Sequence, residues 1–246
     1  MKSAVLLLCS LIASAVWAAE YTVALAKFDE DVAQSRRIVR QYCAMVQEMT
    51  KSPDLDGARQ TQAMNLLDEA RQCWQVVIQS YSGNPPSEYA LDKQFSARLT
   101  DFANALDDMQ RALANGQVRR SLLACGFGCG LFVKMHEENG LVYALDELYR
   151  LRQTAKTAFE LAKTKNAGAA KASLPAIMER RNQLLCAPLP WPTEDSRCEA
   201  YRDAVREVSG TIDELARALS DGNDDHSVTL LEQLIAQVNV AYGLAL

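Results

Sequence analysis

A sequence pattern that occurs twice, about 106 residues apart, constrains the fold of this chain more than any other feature. Segments 105–116 and 211–222 share Asp, Arg, Ala, Leu and Gly in the same order and at the same spacing. A period of this length is too long for a solenoid repeat and is close to the size of one small domain. The pattern therefore predicts an internal duplication of one folded unit.

Nearly every segment between turn-forming residues has the apolar spacing of an amphipathic helix, and the alternating pattern of strands is absent. Short turns between consecutive helices favour antiparallel neighbours. We therefore predict an all-α protein of two tandem up-down-up-down four-helix bundles, formed by residues 19–140 and 141–246. The predicted helices cover approximately residues 28–49, 55–81, 91–113, 118–138, 142–165, 174–186, 197–219 and 225–244.

Residues 1–18 have the composition of an export signal. Lys2 precedes an apolar run, and the run ends in a small-residue cleavage site at Ala18. The run is too short to span a membrane, and no later stretch reaches the roughly 20 apolar residues that a spanning helix needs. We expect a cleaved signal peptide and a protein that is periplasmic or secreted.

The charge balance argues against a nucleic-acid partner. The chain has 26 basic and 31 acidic residues, for a net charge of −5, whereas nucleic-acid binding needs a clustered basic surface. We interpret the arginine pairs at 36–37, 119–120 and 180–181 as solvated helix faces. Only His136 and His226 are present, so a catalytic triad or a histidine-rich zinc site has little material, and we expect no enzymatic activity.

Six of the seven cysteines follow the predicted signal, and disulfides are the default interpretation in an oxidising compartment. Cys186 and Cys198 flank a loop that contains three prolines and cannot be helical. A disulfide between these two cysteines is predicted to clamp the ends of two antiparallel helices. Its role would be structural.

The most unusual stretch, residues 124–130, has three glycines and two cysteines in the middle of a predicted helix. Each glycine there costs about 1 kcal/mol relative to alanine, so a close helix crossing, a kink or a bound ligand must offset the loss. A rise of about 1.5 Å per residue places Cys43, Cys125 and Cys129 at similar depths in neighbouring helices. Either Cys43 forms a disulfide with Cys125 or Cys129, or the three sulfurs hold a soft metal ion such as copper(I).

A third interpretation is a flat cofactor such as haem, for which Gly126 and Gly130 leave room and Met135 or His136 is a ligand. An exported four-helix bundle with a cysteine pair on its last helix resembles the cytochrome c′ and cytochrome b562 group over approximately residues 20–140. The resemblance implies haem bound between helices and a role in electron transfer.

The cysteine spacing differs from that of covalently attached haem. Three residues separate Cys125 from Cys129 and Gly130 follows, whereas attachment uses Cys-x-x-Cys-His. The sequence thus predicts an exported, non-enzymatic helical binding protein that holds copper(I) or another cofactor or small ligand in its first bundle, or contacts another periplasmic protein. The alternatives are a structural or interaction protein with three disulfides and no ligand, and a cytochrome-like electron-transfer protein.

Overall fold

A computed structural model describes residues 22–51, 57–164, 167–189 and 195–246 of the chain, so the predicted signal, residues 1–18, lies outside the described residues. Within these ranges the protein has no strand, which confirms the all-α prediction. Among the described helices, none combines the length and the apolar character that crossing a bilayer requires. The helices are α1 (Val23–Met49), α2 (Gly57–Tyr81), a 3₁₀ turn (Ser87–Tyr89), α3 (Phe95–Ala114), α4 (Val118–Glu138), α5 (Ala144–Lys163), α6 (Ala167–Ala172), α7 (Leu174–Cys186), α8 (Arg197–Ser220) and α9 (Asp224–Leu244).

The start of α3 differs from the prediction. The apolar pattern predicts a helix from about residue 91, but α3 begins at Phe95 and the 3₁₀ turn precedes it. The ring of Tyr89 in this turn is buried against Phe28 and Phe95, with ring centroids 5.6 and 5.0 Å apart. Leu91 is 94% exposed, so its place in the apolar pattern does not correspond to burial.

The buried hydrophobic residues form two clusters, one in the N-terminal half (residues 22–138) and one in the C-terminal half (residues 144–246). In the N-terminal half α1 packs against α2 and α4, and α3 also packs against both of these helices. In the C-terminal half α5 packs against α7 and α9, and α8 also packs against both. In each half, four helices therefore pack around one hydrophobic cluster. The tandem four-helix-bundle arrangement stays a prediction.

The turns that follow the two copies of the repeated pattern have the same geometry. Gly116 and Gly222 have positive φ angles of 69° and 70°. The amide of Gln117 donates to the carbonyl of Ala112 at 2.8 Å, and the amide of Asn223 donates to the carbonyl of Ala218 at 2.9 Å. A left-handed glycine with this backward hydrogen bond is a common helix terminus, so the shared glycine has a conformational cause. The internal duplication itself stays a prediction.

An aromatic cluster in the N-terminal half supports the inner face of α4. The Trp74 ring lies 4.3 Å from Phe102 and 5.7 Å from Phe132 between centroids, and its indole N–H donates to the carbonyl of Leu99 at 2.8 Å. The polar edge of the tryptophan is thus satisfied inside the core, as a buried indole requires. This cluster fixes the position of Phe132, whose ring lies against the guanidinium group of Arg36.

Candidate functional site

A disulfide bond joins Cys43 on α1 to Cys125 on α4, with Cα atoms 6.9 Å apart. This is one of the two pairings that the sequence predicts for Cys43. Cys129 lies one turn further along α4 and lines the same cavity as both bonded cysteines. The three sulfur-bearing residues therefore do share a layer of the N-terminal half.

The disulfide uses two of the three sulfurs that the sequence predicts as copper(I) ligands, those of Cys43 and Cys125. A copper(I) site of this kind uses thiolate ligands, and two of the three sulfurs are bonded to each other. Of the three, only Cys129 retains a thiol. Among the described residues, no group of three or more His, Cys, Asp or Glu side chains is arranged to hold a metal ion.

The predicted disulfide between Cys186 and Cys198 is not formed in the structure. Cys186, the last residue of α7, is exposed, whereas Cys198 in the first turn of α8 is only 2% exposed. The two side chains therefore face different environments although α7 and α8 are neighbours. Residues 190–194 of the proline-containing loop between them lie outside the described residues.

Close contacts account for two of the three glycines in α4. A Cβ atom at Gly128 would lie 3.2 Å from Cε2 of Phe102, and one at Gly130 would lie 3.3 Å from the hydroxyl of Tyr149. A Cβ atom at Gly126 would have no neighbour within 4 Å, and Gly126 lines the cavity. The glycines thus permit close approach at two positions and leave open space at the third.

His136 and Met135, predicted as cofactor ligands, are both buried and do not line the cavity. The Nδ1 atom of His136 lies 2.7 Å from Oδ2 of Asp146, and its ring stacks on Tyr143 with centroids 4.0 Å apart. Met135 belongs to the hydrophobic cluster of the N-terminal half. Both side chains therefore make contacts within the protein and lie outside the cavity.

The His136 pair belongs to a polar contact between the two halves. The Tyr143 hydroxyl donates to Oδ2 of Asp29 on α1 at 2.8 Å. Burial raises the pKa of Asp29 to about 6, although the Tyr143 hydrogen bond and the charges of His136 and Arg36 oppose the shift. Asp29 is therefore an acid whose proton affinity depends on the packing of the two halves.

A cavity of about 480 Å³ lies where α1 and α4 face α5 and α9. No acidic side chain is among the described residues that line this cavity. The disulfide, Cys129 and Gly126 form part of one wall, so the unusual stretch of α4 faces the cavity. The basic side chains that line it are Arg36, Arg40, Arg119, Arg152 and Lys156.

Arg36 is buried at the base of this basic cavity. Its Nη2 atom donates to the Tyr242 hydroxyl at 2.6 Å, and its guanidinium carbon lies 4.6 Å from the centre of the Phe132 ring. The residue is 8% exposed, and its Nε–H has no hydrogen-bond partner among the described residues. A buried guanidinium donor without an acceptor costs free energy.

Arg40 and Arg152 approach the same tyrosine. Their guanidinium carbons lie 5.6 and 5.0 Å from the centre of the Tyr242 ring. Both also contact Asn239, Arg40 through the backbone carbonyl and Arg152 through the side-chain oxygen at 3.1 Å. The guanidinium groups of Arg36, Arg40 and Arg152 therefore converge on the ring of Tyr242. Asn239 on α9 holds the last two of them in place.

The three arginines around Tyr242 are not paired with acidic side chains in the part of the chain that the structure describes. None of Arg36, Arg40 and Arg152 forms an ion pair with a described carboxylate. Burial lowers the pKa of Arg40, and the neighbouring Arg152 contributes to the lowering. Burial and Arg152 also lower the pKa of Lys156. Both shifts are those expected of cations that are desolvated beside like charge.

The sequence interpretation missed this cluster because it assigned the arginine pairs to solvated faces. That interpretation is wrong for Arg36, which is buried, whereas Arg119 is exposed as predicted and also lines the cavity. A usable signal was present, since Arg36, Arg40 and Cys43 follow at spacings of four and three and so share one helix face. The contribution of α5 and α9 could not be seen, because it depends on how the halves pack.

Comparisons with family models, with curated proteins and with solved structures each give no match to this chain. The resemblance to haem-binding cytochromes therefore stays a prediction. The chemistry of the cavity has to be inferred from its own residues.

Proposed function

We propose that this chain is an exported, non-enzymatic binding protein whose basic cavity holds a small organic anion. The observation that carries the proposal is the convergence of Arg36, Arg40 and Arg152 on Tyr242 in a cavity whose described lining has no acidic side chain. Cations that are held together and partly desolvated repel one another and lose hydration. An anion that accepts their hydrogen bonds would offset both costs.

The rest of the lining supports an anion that also carries an apolar group. Val39, Leu122 and Ile235 line the cavity together with the cations. Its volume of about 480 Å³ falls within the range of roughly 300–1,000 Å³ that is typical of small-molecule sites. Guanidinium groups bind carboxylate and phosphate oxygens through paired N–H donors, so either headgroup fits the chemistry.

The side chains available in the cavity favour binding over catalysis. Its described lining includes no Asp, Glu or His, the side chains that most often transfer protons in enzymes. Tyr242 is hydrogen-bonded to Arg36, and burial raises the pKa of Tyr242. A raised pKa keeps this hydroxyl protonated at neutral pH, so it acts as a donor rather than as a base.

Calorimetric titration with phenyl phosphate and phenylacetate tests the proposal, because each probe joins an anionic group to an apolar ring. Phenyltrimethylammonium is the matched cationic probe. We expect one anion to bind per chain and the cation not to bind. Arg40→Gln or Arg152→Gln should lower the affinity for the anion about tenfold. A hydrogen bond to a charged group contributes about 1.5–3 kcal/mol, and 1.4 kcal/mol corresponds to a factor of ten in affinity.

Arg217→Gln is the matched control, because Arg217 is an exposed arginine on α8 that does not line the cavity. It changes the net charge by the same amount and should leave the affinity unchanged. Equal losses in Arg217→Gln and Arg40→Gln would reduce the effect to overall charge and contradict the proposal. Failure of both anionic probes to bind would favour the structural alternative without a ligand.

A further inference from the structure

Cys129 is the one thiol among the described residues that line the basic cavity, and the proposed function makes no use of it. It lies one helical turn from Cys125, whose sulfur is occupied in the disulfide with Cys43. Its side chain is partly exposed, so a molecule that enters the cavity can reach the sulfur. The cysteine therefore offers a nucleophile inside a site that is otherwise built to bind an anion.

The cations of the cavity are close enough to act on this sulfur. An ionised Cys129 interacts electrostatically with the guanidinium groups of Arg36 and Arg40. The thiolate is the form of cysteine that attacks a disulfide. Cys73 on α2 has different surroundings, because burial and the charge of Glu69 raise its pKa.

An independent observation indicates that a ligand belongs beside this sulfur. Arg36 lines the cavity, is 8% exposed, and has an Nε–H without a hydrogen-bond partner among the described residues. An anion in the cavity would lie against this guanidinium group and stabilise its buried charge. The same molecule would lie in the cavity that Cys129 lines.

We propose that Cys129 is a site of reversible S-thiolation by a small disulfide that carries carboxylate groups. The inference rests on the proposed anion site, since Arg36, Arg40 and Arg152 would bind the carboxylates and hold the disulfide against the sulfur. The Cys129 thiol first loses its proton to solvent. The thiolate then attacks one sulfur of the small disulfide, forms a new S–S bond to it, and displaces the other half as a thiolate that takes up a proton from solvent.

The direction of selectivity follows from the charge of the cavity. A carboxylate-bearing disulfide is concentrated beside Cys129 by the cations that line the cavity. A neutral disulfide gains no such attraction, and a cationic disulfide is repelled. Exposure alone would give a different order, because Cys186 is exposed and Cys129 is only partly exposed.

The test uses oxidised glutathione as the anionic probe, hydroxyethyl disulfide as the neutral probe and cystamine as the cationic probe. Peptide mapping by mass spectrometry measures the modification rate at each cysteine of the full chain. We expect the ratio of the glutathione rate to the hydroxyethyl disulfide rate to be at least tenfold higher at Cys129 than at Cys186 or Cys73. Arg40→Gln should lower that ratio at Cys129 several-fold, and added salt should lower it as well.

Cys129→Ser separates this inference from the proposed function. The variant should bind phenyl phosphate as the parent does and should lose the selective glutathionylation. Anion binding without preferential modification of Cys129 would overturn the inference and leave the binding function standing. If the parent protein showed neither anion binding nor selective modification of Cys129, both the proposed function and this inference would be overturned.

Discussion

Tyr143, at the beginning of α5, donates a hydrogen bond to Asp29 on α1 across 114 residues of sequence, with the two oxygens 2.8 Å apart. The contact joins the two halves next to the His136–Asp146 pair. Burial raises the pKa of Asp29 from 3.8 to about 6, so the folded protein holds a proton there in a pH range in which the unfolded chain has lost it. Folding stability must then depend on pH through this residue.

Asp29→Asn should stabilise the protein at neutral pH. The stabilising contribution of protonated Asp29 is fully present below pH 3.8 and is lost as the pH rises through about 6. An amide avoids this loss and can still accept from Tyr143, so we expect a gain of about 2 kcal/mol above pH 7 that disappears near pH 4. Urea unfolding between pH 4 and 8 measures it.

Asp31→Asn is the control of opposite sign for this pH effect. The pKa of Asp31 is lowered, because hydrogen bonds from Lys27 and Tyr81 outweigh the effect of burial. Asp31 therefore contributes stability that is present above its unfolded pKa and lost as the pH falls through its lower folded pKa. Replacement of Asp31 should destabilise the protein at neutral pH. If stability changed with pH in the same way in Asp29→Asn and Asp31→Asn, the opposite pKa shifts of the two residues would be contradicted.

Removal of the Cys43–Cys125 disulfide should lower stability markedly. The bond joins residues separated by 82 positions, and closure of a loop of that size corresponds to about 4 kcal/mol in the chain-entropy model. Urea unfolding of Cys43→Ser/Cys125→Ser without reductant should show this loss, and reductant should bring the parent down to the same level. Cys73→Ser is the control and should leave the free energy of unfolding nearly unchanged. If reductant did not lower the stability of the parent protein, the disulfide assignment would be refuted.

Two glycines of α4 should respond in opposite ways to alanine. Gly126→Ala places its methyl group where no atom lies within 4 Å, so the higher helix propensity of alanine should stabilise the protein by about 1 kcal/mol. Gly128→Ala places a Cβ 3.2 Å from Phe102, and the displacement of that ring should cost about 1–3 kcal/mol. Thermal unfolding that ranked the two variants in the reverse order would refute this packing.

Gly243→Ala should weaken anion binding without weakening the fold. A Cβ at Gly243 would lie 2.8 Å from Nη2 of Arg40, and the end of the arginine can move aside at little cost. Arg40 would then leave the carbonyl of Asn239, so we expect a several-fold loss of phenyl phosphate affinity by calorimetry. Gly210→Ala on α8, which meets nothing within 4 Å, should leave the affinity unchanged, and an equal loss there would rule out this role of Gly243.

Most of the helical fold could be predicted from the sequence because its signals are local. The turns at Gly116 and Gly222 end helices where the pattern places them, and both glycines adopt the positive φ that such a turn requires. One difference is the start of α3, where Tyr89 enters the core from a 3₁₀ turn; α1 also begins at Val23 rather than near residue 28, and α6 was not predicted. The burial of Tyr89 depends on contacts with Phe28 and Phe95, and such contacts leave no periodic trace in the sequence.

The site could be predicted only in part. Helix depth correctly grouped Cys43, Cys125 and Cys129, since depth depends only on the rise per residue. The same reasoning could not show that two of these sulfurs are bonded to each other, because it gives no lateral distances. The role of Arg152 was also out of reach, because it depends on the position of α5 against α1.

The cavity has a consequence for unfolding, because its walls come from helices at both ends of the chain. Arg36 on α1 donates to the hydroxyl of Tyr242 on α9, and Arg40 donates to the carbonyl of Asn239. These hydrogen bonds connect the first and last described helices. Two halves without contacts between them would unfold independently. A ligand bound in the cavity contacts both halves and must dissociate when either half unfolds. Saturating ligand should therefore merge their melting into a single cooperative transition.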